Sequence, residues 1–153
     1  MSNAKLMFGA LISVILLGLY AFSLIDAIQL AYSVSPKTVA ELDPGIAHTL
    51  TIVGGLVSAL VIAELAISKP GDPPGARLLV SAAPGAPAPS SSAIKAVAVI
   101  SIIYVMVWIL LGLAAYVVGE MLRPGTVRAL TDFGQAWLGL AVAAGYAFFG
   151  MKQ

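Results

Sequence analysis

The residues of this chain that could do chemistry are three carboxylates in long apolar stretches. Glu64 lies near the end of IVGGLVSALVIAELAI, and Asp26 and Glu120 lie near the ends of two other apolar stretches. A charged group at the centre of a membrane-spanning helix costs about 2.5 to 3.5 kcal/mol, so a carboxylate found there is a candidate for moving protons or cations. The three therefore define one hypothesis, a proton or cation path with Glu64 at one mouth and Asp26 or Glu120 at the other.

The depth of these carboxylates favours a simpler interpretation. Glu64 is about eight residues, or about 12 Å, from the centre of its stretch, and Lys69 follows it. Asp26 is near the far end of the first stretch, and Glu120 is close to Arg123 at the end of the third. Groups at these depths reach water or a partner at the membrane interface. We expect interfacial carboxylates rather than a buried site.

The chain has a single histidine, His48, and no cysteine. One histidine cannot supply a bis-histidine haem, and the sequence has no carboxylate and histidine cluster with the spacing of a metal site. Without cysteine there are no disulfides or thiolate ligands. A lipid-modifying enzyme would have to use His48 with Asp43, the one pair of base and acid near an interface. We therefore predict a protein that is not an enzyme and holds no metal or cofactor.

Composition places the chain in a membrane. Of its 153 residues 60% are hydrophobic and 10% are charged, whereas soluble domains carry about 25% charged residues. The net charge of +1 leaves no basic surface that could neutralise a run of phosphates. The lipid bilayer is the expected environment, and nucleic acid is excluded as a partner.

Four apolar stretches are long enough to cross a bilayer: residues 6–34, 46–67, 94–122 and 133–151. At 1.5 Å per residue they are about 28 to 43 Å long, against a hydrocarbon core of about 30 Å. Asp43 and Pro44 are typical of a capped helix start, and Pro124 ends the third stretch. The prediction is an all-α integral membrane protein, one domain in which four transmembrane helices form a bundle of two helical hairpins.

A segment rich in proline, alanine and glycine, residues 68–93, joins the two hairpins. It holds six of the nine prolines, so it is predicted to be an extended tether. The termini and this tether share one side of the membrane and five of the eight basic residues: Lys5, Lys69, Arg77, Lys95 and Lys152. Since Lys and Arg near span ends are retained in the cytoplasm, both termini and the tether are expected there, in an inner membrane of the prokaryotic type.

Small residues four apart indicate close helix packing. The pairs are Gly54 with Ser58, Gly55 with Ala59, and Gly139 with Ala143. Small residues let another backbone approach closely. Trp108 lies in mid-span, one turn before Gly112, and the two belong to one predicted packing face of the third span. The indole N–H of Trp108 needs a partner there. We expect this tryptophan to pack against a small-residue face such as that of the second span.

Two functional hypotheses follow from these patterns. The first is a non-enzymatic structural or accessory subunit, which binds its own copies or other membrane subunits through the small-residue faces. The second is an oligomeric channel, transporter or holin-like pore that uses Glu64 and Asp26. The sequence favours the first, because no stretch is amphipathic enough to line a wide aqueous pore.

Overall fold

A computed structural model of the chain describes residues 3–36, 38–67 and 91–149. The described residues form four helices: α1 (Asn3–Ser33), α2 (Pro44–Ile67), α3 (Ser91–Tyr116), which continues as a π-helical turn (Val117–Leu122), and α4 (Arg128–Phe149). The predicted all-helical fold is confirmed for this part of the chain. Residues 68–90 of the predicted tether lie outside the described residues, and its last three positions, 91–93, belong to α3.

Three of these helices are long and apolar enough to cross a membrane, over Leu11–Ser33, Pro44–Ala66 and Ala98–Leu122. These three match the first three predicted spans. The fourth helix has 22 residues but is less apolar, because Asp132, Gln135 and Trp137 lie in its first half. A fourth span therefore remains a prediction.

The helices form a bundle in the order α1, α2, α4, α3 around its axis. Each helix packs against its two neighbours in this order, and the diagonal pairs α1 with α4 and α2 with α3 touch least. Neighbours α1 and α3 run in one direction, and α2 and α4 run in the other. The bundle therefore has one side built by α1 and α3 and another built by α2 and α4.

The start of α2 has the predicted cap. The side-chain Oδ1 of Asp43 accepts hydrogen bonds from the backbone N–H of Gly45 at 2.9 Å and of Ile46 at 3.2 Å. Pro44 occupies the first helical position, where a missing N–H costs nothing. Asp43 and Pro44 therefore fix the start of α2.

The two hairpin turns meet at the end of the bundle opposite the tether. The backbone N–H of Ala40 donates to the carbonyl of Thr126 at 2.7 Å, and Ala40 pairs with Val127 in an isolated parallel bridge. Arg123 Nη1 donates to the carbonyl of Val34 at 3.3 Å, and its guanidinium lies 5.1 Å from the ring centre of Tyr32. The hairpins are therefore fastened to each other at this end.

Candidate functional site

Trp108 and Ser58 form a hydrogen bond across the middle of the bundle. The indole Nε1 of Trp108 on α3 donates to Ser58 Oγ on α2 at 2.9 Å, and the Ser58 hydroxyl donates to the carbonyl of Gly54 at 2.8 Å. Trp108 and Ser58 are 2% and 0% exposed. A buried indole N–H needs an acceptor, and here the diagonal helix supplies it.

Other aromatic side chains complete the centre around Trp108. The Tyr20 hydroxyl on α1 donates to the carbonyl of Trp108 at 3.2 Å. The rings of Trp108 and Trp137 are 5.6 Å apart at 55°, and those of Tyr20 and Phe133 are 6.0 Å apart at 59°. All four helices contribute to this cluster, and its large rings fill the middle of the bundle.

Inward-facing glycines make room for these rings. A Cβ on Gly54 would overlap the ring of Phe133, and one on Gly112 would overlap the indole of Trp137. The two aromatic side chains therefore rest directly on helix backbone, which only glycine allows.

Further along, α3 and α4 cross closely at two more glycines. A Cβ on Gly134 would lie 2.8 Å from Tyr116 Cα, and one on Gly119 would lie 3.0 Å from Thr131 Cα. Thr131 Oγ1 donates to the carbonyl of Gly119 at 3.0 Å. Small residues thus set the spacing of this helix pair along much of its length.

The predicted helix-packing residues divide into two groups. Gly54, Ser58, Trp108 and Gly112 are buried between helices of the bundle. The others are exposed on the outside, Gly55 and Ala59 on α2 and Gly139 and Ala143 on α4. Apart from the backbone of the same helix, no atom of the described residues lies within 4 Å of a Cβ placed on Gly55 or Gly139. Half of the predicted set is therefore not used by packing among the described residues.

The three predicted carboxylates lie at opposite ends of the bundle. Glu64 is partly buried near the tether end, on the same face of α2 as the buried Val57 and Val61. Asp26 and Glu120 are partly buried towards the turn end. Glu120 Oε1 accepts a hydrogen bond of 2.7 Å from Gln135 Nε2 on α4.

The interior between these two ends is filled. Large side chains with less than about 2% exposure occupy the core, among them Trp108, Tyr20, Leu24, Leu50 and Leu130. The fold does not bring the carboxylates together, and the aromatic cluster lies between them. A single bundle of this shape has packed side chains where a conduit through its middle would have to run.

The remaining sequence candidates, Asp43 and His48, lie at the start of α2. Asp43 caps α2, and the side chain of His48 is exposed one turn further on. Within the described ranges, no group of three or more histidine or acidic side chains is arranged to hold a metal ion.

Several residues of the central cluster are not among those that the sequence predicted. Tyr20, Phe133 and Trp137 belong to it, and Arg123 was not expected to bind the end of α1. Trp137 is the second tryptophan of the chain, but it lies only four residues from the start of the fourth apolar stretch, where tryptophan is common at a membrane interface, so its position did not mark it as a core residue. The partners of all four residues lie on other helices, so the chain order does not reveal them.

Comparison of the chain with protein-family models, with curated protein sequences and with solved structures finds no match.

Proposed function

We propose that this protein is a small, non-enzymatic, multi-pass membrane protein that serves as a structural or accessory subunit of an oligomeric membrane complex. The complex contains further copies of the chain or other membrane subunits, and it is held together through the outer faces of α2 and α4. The observation that carries the proposal is the difference between the two sides of the bundle.

The side built by α1 and α3 exposes mainly bulky aliphatic and aromatic side chains. On α1 these include Leu11, Ile15, Leu19 and Phe22, and on α3 they include Ile103, Met106, Leu110 and Leu113. Such a surface suits lipid tails. Lipid is the proposed neighbour of this side.

The side built by α2 and α4 also exposes bulky side chains, among them Leu56, Leu60 and Leu138, but pairs of small residues one turn apart lie between them. Gly55 and Ala59 lie exposed on α2, and Gly139 and Ala143 lie exposed on α4. Lipid tails are as apolar as the side chains of a spanning helix, so the hydrophobic effect does not drive helices together in a membrane. Helices there associate instead through van der Waals packing at small residues. These small residues therefore favour contact with a second protein surface over contact with lipid.

We further propose that α4 crosses the membrane with the other three helices. Its 22 residues measure about 33 Å, which is enough to span. Its inner face packs on α2 and α3 through Leu130, Trp137 and Ala144, and its polar side chains cluster near its start at the turn end. Both termini and the tether then lie on the same side, in the cytoplasm of a prokaryotic-type cell.

The topology is testable because the chain has no cysteine. Val39→Cys, in an exposed turn position, should react with a membrane-impermeant thiol reagent added outside intact cells. Gly71→Cys, in the tether, should react only after the cells are permeabilised. The opposite labelling pattern would overturn the proposed orientation.

The subunit proposal is tested by purification in a mild detergent, followed by native mass spectrometry. The expected result is a homo-oligomer or a complex with other membrane proteins. A chain that runs as a lone monomer at every detergent concentration, with no protein co-purifying, would overturn the proposal.

An oligomeric channel, transporter or holin-like pore is the alternative, and the inward-facing position of Glu64 at the tether end favours it. Because the aromatic cluster fills the middle of one bundle, a conduit would have to run between several copies. Proteoliposome flux separates the two functions. Proton or cation leakage through the wild-type chain that falls in Glu64→Gln and Asp26→Asn would support the pore. Leakage equal to that of empty vesicles for the wild-type chain and both variants would rule the pore out.

A further inference from the structure

The exposed tyrosines of this chain lie at the two ends of the bundle. Of the five tyrosines, Tyr32 and Tyr146 are 49% and 52% exposed, whereas Tyr20 and Tyr104 are buried and Tyr116 is partly buried. Tyr32 is in the last turn of α1, at the turn end, and Tyr146 is in the last turn of α4, at the tether end. The fold therefore leaves one tyrosine outside at each end and keeps the other three inside.

An exposed tyrosine fits the boundary between lipid tails and headgroups. Its ring is apolar and its hydroxyl is polar, so the side chain is best satisfied where apolar and aqueous surroundings meet. Tyrosine is accordingly enriched at both interfaces of a membrane. At the turn end the Arg123 guanidinium lies 5.1 Å from the ring centre of Tyr32, and an arginine at the end of a span is a second interfacial anchor.

Large exposed side chains between the two tyrosines have no polar tip. Phe22, two residues after Tyr20 of the central cluster, is an aromatic ring without a hydroxyl and is 61% exposed. On α4, Leu138 and Val142 are 43% and 53% exposed. These side chains suit lipid tails, which offer no hydrogen bonds. The outer surface thus changes from apolar in the middle to amphipathic at each end.

The distance between the two exposed tyrosines matches the thickness of a bilayer. Arg123, beside Tyr32, is fifteen residues after Trp108 on α3, or about 22 Å towards the turn end. Tyr146 is nine residues after Trp137 on α4, or about 13 Å towards the tether end. Because the rings of Trp108 and Trp137 are in contact at 5.6 Å, the two levels are about 35 Å apart. That value lies between the hydrocarbon core, about 30 Å, and the whole bilayer, about 40 to 45 Å.

We propose that Tyr32 and Tyr146 bind the two headgroup layers of a phospholipid bilayer, Tyr32 with Arg123 on the turn side and Tyr146 on the tether side. This inference rests on the proposed function, which places all four helices in the membrane, and adds the residues that contact the headgroups. Lipid tails then surround the bundle between the two levels. Polar side chains of α4 within this range lie in its turn half, where Gln135 bonds to Glu120, as polar groups in lipid pair with one another.

Spin labels test these levels, since the chain has no cysteine. Val39→Cys, Leu138→Cys and Phe149→Cys, all at exposed positions, each receive a nitroxide label in phosphatidylcholine liposomes. Accessibility to oxygen, which enters the bilayer, is compared with accessibility to a water-soluble nickel complex. Oxygen should dominate at Leu138, nickel should dominate at Val39, and Phe149 should be intermediate.

Three results of this measurement contradict the proposal. The label at Leu138 is as accessible to nickel as the label at Val39, so that α4 lies in water. The label at Phe149 is as deep as the label at Leu138, so that the boundary lies elsewhere. Neither reagent reaches Phe149, so that protein rather than lipid covers this end of α4.

Moving the tyrosine tests whether it holds α4 at this level. In the labelled Leu138→Cys chain, Tyr146→Val combined with Val142→Tyr shifts the tyrosine one turn, or about 6 Å, towards the middle without a change in composition. The label should then lie nearer the tether-side boundary by up to about 6 Å. The matched control is Val142→Ala combined with Ala143→Val, which exchanges two exposed residues and leaves Tyr146 in place. Equal label depths in the two exchanges would overturn the assigned role of Tyr146.

The failure of these lipid contacts can be told apart from the failure of the proposed function. An oligomer in native mass spectrometry whose Leu138 label is accessible to nickel overturns the two levels and the fourth span, and it leaves the subunit proposal standing. Labels at the expected depths on a lone monomer overturn the subunit proposal and leave the headgroup contacts standing.

Discussion

Trp108 donates its indole N–H to the hydroxyl of Ser58 at 2.9 Å, from one helix to the helix diagonally opposite. This bond joins the two hairpins at the middle of the bundle, where the diagonal helices otherwise touch least. The sequence contains both partners 50 residues apart, with the tether between them. Removing this bond therefore tests whether the two hairpins pack together as described.

Loss of the Ser58 hydroxyl should destabilise the bundle. In Ser58→Ala the buried N–H of Trp108 has no acceptor, which costs about 1 to 3 kcal/mol of unfolding free energy. Ser33→Ala is the control, since the Ser33 hydroxyl bonds to the carbonyl of Leu30 at an exposed site. Unfolding in detergent micelles measures both. Equal stabilities of the two variants would contradict the assigned role of Ser58.

Two buried tyrosines should respond differently to loss of the hydroxyl. Tyr20 donates to the carbonyl of Trp108, whereas the Tyr104 hydroxyl is buried without a partner in the described structure. Tyr20→Phe should cost about 0.5 to 1.5 kcal/mol of unfolding free energy, and Tyr104→Phe should cost nothing or stabilise the fold. The same unfolding assay compares them, and a larger loss for Tyr104→Phe would show that the core is packed differently.

Adjacent glycines on α2 should have opposite sensitivities. Gly54→Ala places a methyl group against the ring of Phe133 and should cost about 1 to 3 kcal/mol through overpacking. Gly55→Ala points outward and should change the stability of the single chain by less than about 0.5 kcal/mol. Equal stability of the two variants would contradict the orientation of α2 in which Gly54 faces the interior and Gly55 faces outward. The size of the oligomer in native mass spectrometry gives a second readout for Gly55→Ala.

Arg123 should stabilise the turn end of the bundle. Its bond to the Val34 carbonyl and its position over the Tyr32 ring connect the end of α1 to the end of α3. Arg123→Met should lower the unfolding free energy by about 2 to 4 kcal/mol, the sum of about 1.5 to 3 for a charged hydrogen bond and about 0.5 to 1 for a cation–π contact. Arg128→Met, at an exposed position, is the control in micelles that keep the chain monomeric. Similar losses in both variants would show that the charge alone matters.

The chain's local patterns determined the kind of protein and much of its secondary structure. Composition and long apolar stretches are enough to predict helices of spanning length, because backbone N–H and C=O groups in lipid must be satisfied within the helix. The helix cap at Asp43 could also be predicted from the sequence, since the two backbone N–H groups that donate to its side chain lie two and three residues further along the chain. These features depend on residues close in sequence.

Only the tertiary structure decided which side of each helix faces inward. The second span has two overlapping small-residue pairs, and the fold buries Gly54 and Ser58 while it leaves Gly55 and Ala59 outside. The pattern could not choose between them, because a helix that is apolar all round shows no polar face to mark its outside. The choice came from Trp108 and Phe133, large rings on other helices that need the serine and the glycine of this face beside them.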